Sequence, residues 1–182
     1  MSEAVRIATK TDEDEIIRLL HLMHAEGGLL PLNEARARET FNHAFERKGG
    51  MIGVIGEPGD IKAMIYLLIS RFWYTDENHL EELFNFVRPD LRKSDYARQL
   101  IEFAKATSEQ IGIPLVIGVL TNTRMEGKVR LYRRILGIPA GAFFVHNAKW
   151  VSTTPSSEDF WQQPFPNRVR SNGSKKEHRS TQ

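Results

Sequence analysis

Apolar and polar positions change their period several times along the chain, and each change marks an element. Residues 5–9 read as a short strand. Ile16, Leu19, Leu20, Met23 and His24 then recur at helical spacing. Asp12 stands before them as an N-cap with Glu15 three positions on, so a helix is expected over residues 12–25, ended by Gly27 and Gly28. A second helix follows Asn33, with Ala37, Phe41, Ala44 and Phe45 on one face, and stops at Gly49 and Gly50. Two strand-like runs, residues 51–56 and 61–72, flank Glu57, Pro58, Gly59 and Asp60, a turn sequence that predicts a hairpin. Residues 80–87 form a third such run, closed by Arg88 and Pro89.

Helical spacing returns over residues 96–110 and ends at Gly112 and Pro114. Residues 115–120 read as a short strand and residues 126–136 as a helix before Gly137. Residues 142–145 lead into a last strand or strand pair reaching about residue 151. The predicted order is β-α-α-β-β-β-α-β-α-β, an α/β (α+β) arrangement with a mixed sheet covered by helices. From residue 152 the composition turns to Ser, Thr, Pro, Gln, Asn and basic residues. The expected division is a domain over residues 1–151 and a basic, flexible tail over 152–182, in which Phe160, Trp161 and Phe165 could dock.

Charge sharpens this division. The 182 residues carry 25 Lys and Arg against 23 Asp and Glu, for a net charge of +2. Residues 1–150 hold 20 of each sign, so the excess lies entirely in the tail. A nucleic-acid face on the domain is therefore not expected, although the tail could recruit nucleic acid or an acidic protein. Cys is absent, which excludes disulfides, thiolate zinc sites and a Cys nucleophile. No signal sequence and no apolar run long enough to span a bilayer is visible, so a soluble, cytoplasmic protein is expected.

Candidate chemistry concentrates between Leu83 and Ala97. A strand ends, a turn carrying Pro89 follows, and a loop with Arg92, Lys93 and Ser94 opens a helix. Amides at a helix start lack partners and align with the helix dipole, a geometry suited to phosphate, although a strand–turn–helix capped by Ser94 or Asp95 has the same pattern. His21 and His24 stand one turn apart, with Glu26 nearby and His43 on the second helix. Such a set can bind a transition metal, but a partly buried helix face accounts for it, and no metal site is assigned. Arg124, Lys128, Arg130, Arg133 and Arg134 surround one helix, as a solvated face or as an attractor of anions.

The order of elements, the spacing Val87, Pro89, Arg92 and the loop from Arg92 to Ala97 resemble the GNAT superfamily of acyl-CoA-dependent N-acetyltransferases. Residues 131–138, with Tyr132 on a helix just before Gly137, are similar to its second signature. The resemblance covers about residues 4–150, and the wording around Pro89 and Leu100 is similar to small acetyltransferases of tailed phages and prophages. It implies a mostly antiparallel mixed sheet flanked by helices and acetyl-CoA as co-substrate. The amides of Lys93, Ser94, Asp95, Tyr96 and Ala97, with Arg92, would hold the CoA pyrophosphate. Asn85, Phe86 and Val87 would splay at a bulge and pair with pantetheine, an amide of Phe86 or Val87 polarising the thioester carbonyl. Asn122 matches a further pantetheine contact, and Tyr132 the general acid that protonates the departing thiolate.

Two positions depart from the family pattern. Asp95 stands where Gly is usual, and Tyr132 lies five residues before Gly137 rather than four, about 100° of helix rotation. For the base, Glu81 and Glu82 are candidates, with His79 a third. Regular alternation places Glu82 with Phe84 on one pleat face and Glu81 with Leu83 on the other. The implied reaction is direct attack by a primary amine on acetyl-CoA, the acceptor being a small molecule or a protein, with a homodimer as a further expectation. The alternative is a catalytically inactive GNAT-fold binding or virion-associated protein.

Overall fold

Residues 63–67 are apolar without a break, and the strand they begin lies at the centre of the molecule. The computed structural model describes residues 3–121 and 124–147. Its elements are β1 (Arg6–Ile7), α1 (Glu13–Gly27), α2 (Glu34–Phe45), β2 (Gly50–Ile55), β3 (Ala63–Arg71), β4 (Asn78–Val87), α3 (Tyr96–Ile111), β5 (Leu115–Val116) and α4 (Met125–Leu136). The strands form one five-stranded sheet in the order β1-β2-β3-β4-β5. Neighbours are antiparallel through β4, and β5 joins β4 in parallel. The mixed, mostly antiparallel sheet with flanking helices is the expected fold class.

Alternate side chains of β3 feed two cores. Met64 and Tyr66 pack with Ile16 and Leu19 of α1 and Phe41 of α2. Ile65 and Leu67 pack with Leu100, Ile101 and Ala104 of α3 and Tyr132 of α4. All five residues from Ala63 to Leu67 are buried, so β3 is hydrophobic on both faces, as a central strand between two helical layers must be. Among the described residues, no helix is long and apolar enough to cross a membrane.

Local chemistry sets the element ends. Asn33 caps α2, its side chain accepting from the Arg36 amide at 3.1 Å. Gly59 takes φ +86° in the β2–β3 turn, and Gly112 takes φ +72° at the end of α3, positions where a Cβ would be strained. Asp12 departs from expectation. It precedes α1 but makes no side-chain cap. Its fully buried carboxylate accepts from Arg6 Nη1 and Nη2 at 2.9 and 2.8 Å and from the Thr9 amide at 2.9 Å. Asp12 therefore ties β1 to the turn before α1.

One strand is shorter than the sequence suggests, and the described residues of another form none. β5 ends at Val116 rather than near Leu120, and residues 142–147 form no strand. β-branched composition in residues 115–120 signals extended backbone, but only Leu115 and Val116 meet β4. The expected continuation of a last strand to residue 151, the tail from 152 and Asn122 lie outside the described residues.

Candidate active site

β4 carries a fault in its ladder, and the site is built around it. Leu67 pairs with Glu82 and Tyr66 with Phe84, so Leu83 is an extra residue in β4, a β-bulge. An inserted residue reverses the pleat, so Glu82 and Phe84 no longer share a face, contrary to the regular alternation. Phe84 packs with Tyr66 and Phe41 on the α1–α2 side. Glu82 faces the α3–α4 side together with Asn85. The bulge lies at Leu83, within β4, rather than among residues 85–87, where the resemblance implies it. Pairing with β5 stops at Glu81 and Val116, so the two chain segments diverge beyond that point.

A cavity of about 920 Å³ occupies the divergence. Its lining includes β4 from Glu81 to Val87, Arg92, Ser94 and Ala97 near the start of α3, the end of α1, and one face of α4. Inside it, Asn85 donates from Nδ2 to Glu82 Oε1 at 2.7 Å and from the same nitrogen to the Tyr132 hydroxyl. The phenolic oxygen accepts, which leaves its own proton to be donated elsewhere. Tyr132 is 8% exposed, and α4 aims it inward despite its five-residue spacing to Gly137.

Burial raises Glu82 to about 7, opposed by the Lys128 charge, by Asn85 and by a hydrogen bond from the Gly118 backbone. Lys128 is lowered by burial and by Arg92, while Glu82 and Glu26 act the other way. Burial, reinforced by the Glu82 carboxylate, pushes the Tyr132 phenol far above its ordinary value. A carboxylate that titrates near neutrality and a phenol that stays protonated thus share one amide.

The loop before α3 is arranged differently from the implied cradle. Arg92 donates Nη2 to Glu26 Oε2 and Nε to the Val87 carbonyl at 3.2 Å, and its guanidinium lies 5.5 Å from the Phe86 ring. The Ser94 amide donates to Leu91 O, and the Tyr96 amide to Ser94 Oγ. At most three of the five expected amides, those of Lys93, Asp95 and Ala97, therefore remain for an anion. Asp95 sits at φ −90°, outside the left-handed region, and its carboxylate takes Arg98 and Gln99 at 2.9 and 2.8 Å. Turned along α3 and paired, it is neither a side-chain cap nor aimed into the cavity. Lys93, Asp95 and Tyr96 do not line the cavity, whereas Arg92, Ser94 and Ala97 do.

The remaining candidates separate. Glu81 lines the cavity and lies 3.9 Å from His79 Nε2. His79 does not line it; it is buried and stacked on Phe72 at 4.3 Å. His21 bonds Glu34 at 2.8 Å and His24 bonds the Leu30 carbonyl at 2.6 Å. Glu26 stood out in the sequence only beside His21 and His24, Gly118 by no signal at all, and Lys128 only as one of a run of cations, either a solvated face or an attractor of anions. Lys128 lies one turn before Tyr132, a helical spacing that puts both on the cavity side.

No protein-family model matches the sequence, and no curated protein sequence matches it. Solved structures do. A predicted acetyltransferase from Clostridium acetobutylicum, solved with acetyl-CoA, is 13% identical with a TM-score of 0.64, over 79% of this chain and 94% of that one. An aminoglycoside 6′-N-acetyltransferase from Acinetobacter haemolyticus is 17% identical with a TM-score of 0.59, over 80% and 97%. A ribosomal-protein-alanine N-acetyltransferase from Brucella melitensis is 16% identical with a TM-score of 0.61, over 81% and 98%. At such identities the likeness shows the fold alone: this chain has the architecture of these acetyltransferases.

Proposed function

We propose that the chain is an N-acetyltransferase that moves an acetyl group from acetyl-CoA to a primary amine by direct attack. The observation that carries this reading is the pairing of Glu82 and Tyr132 on Asn85, inside a cavity that opens where β4 and β5 diverge. The cavity volume lies within the range of ligand sites. The bulged edge of β4 supplies backbone groups for an amide-bearing pantetheine arm, and the start of α3 supplies helix-terminal amides for a pyrophosphate.

In this reading Glu82 is the base. An ammonium must lose a proton before its nitrogen can attack, and a carboxylate titrating near 7 both accepts that proton and is largely ionised above neutrality. Tyr132 is the acid. Its raised phenol stays protonated, and its hydroxyl, accepting from Asn85, is free to donate to a departing thiolate. Asn85 is a positioning residue that holds both groups. An amide of Phe86 or Val87 stabilises the oxyanion as the nitrogen–carbon bond forms and before the carbon–sulfur bond breaks. Arg92 anchors the end of β4 to α1 through Val87 and Glu26.

Thermal shift with acetyl-CoA and with desulfo-CoA tests the donor site, and thiol release with added amines tests turnover. Stabilisation by both and amine-dependent thiol release are expected. Stabilisation without thiol release would favour an inactive GNAT-fold binding protein.

A further inference from the structure

The charged side chains of the cavity are distributed unevenly: the α4 side carries one carboxylate, Glu126, paired with Arg130, and is otherwise basic. Its Lys and Arg lining residues, Arg92, Arg124, Lys128 and Arg130, come from the turn before α3 and from α4 with its N-cap. Among the described residues, α1 and β4 contribute Glu26, Glu81 and Glu82 to the lining and no Lys or Arg. A CoA ester is a polyanion, so the basic wall attracts the donor. The opposite wall favours a cation and repels an acceptor that bears a carboxylate.

Glu26 is the carboxylate of that wall tied to the turn before α3, through its ion pair with Arg92. It lies in the last turn of α1, where the helix dipole disfavours negative charge, and its side chain keeps 32% exposure. Leu20 and Met23, from the same helix, line the cavity beside it and offer an apolar track. Glu82 is already engaged by Asn85, Gly118 and the charge of Lys128. Glu26 is held by Arg92, which also faces the loop where the donor's phosphates would lie.

Resting on the acyl transfer proposed above, we infer that the acceptor is a small primary amine carrying a second positive charge, docked at the α1 wall by the Glu26 carboxylate. The reacting nitrogen lies at Glu82 and the distal cation at Glu26, with the alkyl spacer against Leu20 and Met23. Phosphates bound near α3 compete for Arg92 and free Glu26 for the amine, so the donor loads first.

The test compares kcat/KM for an α,ω-alkyldiamine, an n-alkylamine and an ω-amino acid of equal carbon number. The diamine is expected to exceed the alkylamine by about tenfold, the worth of one charge-assisted contact, with the amino acid poorest. Added salt is expected to shrink the advantage. Glu26→Gln should bring the diamine-to-alkylamine ratio towards one, and Glu26→Asp should retain part of it. Where Glu26→Gln does not fold, the wild-type ratio and its salt dependence decide. A wild-type ratio near one, or a ratio unchanged in Glu26→Gln, overturns this inference alone. No stabilisation by desulfo-CoA, or stabilisation without thiol release in the presence of any of the three, overturns the acyl-transfer reading, and this inference with it.

Discussion

Glu82 and Tyr132 make opposite demands on one small space, and Asn85 reconciles them. A buried carboxylate is costly unless it is hydrogen-bonded, and a buried phenol needs a partner as well. Asn85 donates to an oxygen of each and takes a proton from neither, so Glu82 keeps further lone pairs to accept a proton and Tyr132 keeps its own proton to give. Glu82→Gln is expected to lower turnover by about a hundredfold or more, the usual worth of a general base. The same substitution should stabilise the protein at high pH. With its folded value raised from 4.5 to about 7, Glu82 favours the protonated folded state, so its contribution to stability falls as pH rises between those values. Denaturation of Glu82→Gln should show a gain on the order of 1–3 kcal/mol at about pH 8 that fades towards pH 5. Tyr132 was legible from its place before Gly137, and Glu82 from its place on the strand. Lys128 was legible only as one of five cations around a helix, because their spacing does not say which of them lies beside Glu82.

At the scale of elements, the bulge at Leu83 decides which side chains meet. Leu83 carries no turn residue and no Gly, so nothing in its neighbourhood signals an interrupted ladder; tertiary pairing imposes it. Deleting Leu83 should close the ladder while keeping Leu67 opposite Glu82 and Tyr66 opposite Phe84. The expected result is a cooperatively folded protein with strongly reduced turnover, read by thermal denaturation beside thiol release. Asp12 shows the reverse case, a sequence signal that was present and misread. Its capping pattern is real, but burial and the two-pronged contact with Arg6 override it. That contact holds the carboxylate below its ordinary value of 3.8, so its stabilisation is present above that value and is lost as pH falls through the lowered one. Asp12→Asn should cost about 2–4 kcal/mol at pH 7, because it leaves Arg6 without its charge partner, with a smaller difference near pH 3. Denaturant titration at both pH values checks this.

Over the whole molecule, the two-sided β3 and helices on either face follow from apolar periodicity, so the fold class was readable from residues 5–136. The extent of β5 was not, since extended backbone and a paired strand look alike in sequence. The divergence that shortens the β4–β5 ladder is also what opens the cavity. Net charge says nothing about that cavity, because a neutral domain conceals an uneven lining, mostly basic on the α4 side and acidic on the α1 and β4 side. The arrangement is summed up in a single reaction profile: thiol release from acetyl-CoA in the presence of an alkyldiamine, followed from about pH 5.5 to about pH 9 for the wild type and Tyr132→Phe. Wild-type kcat/KM is expected to rise through about pH 7, where Glu82 ionises, with Tyr132→Phe about a hundredfold slower in kcat and unaltered in its stabilisation by desulfo-CoA. A wild-type protein that releases no thiol at any pH, or a Tyr132→Phe variant as fast as the wild type, would contradict it.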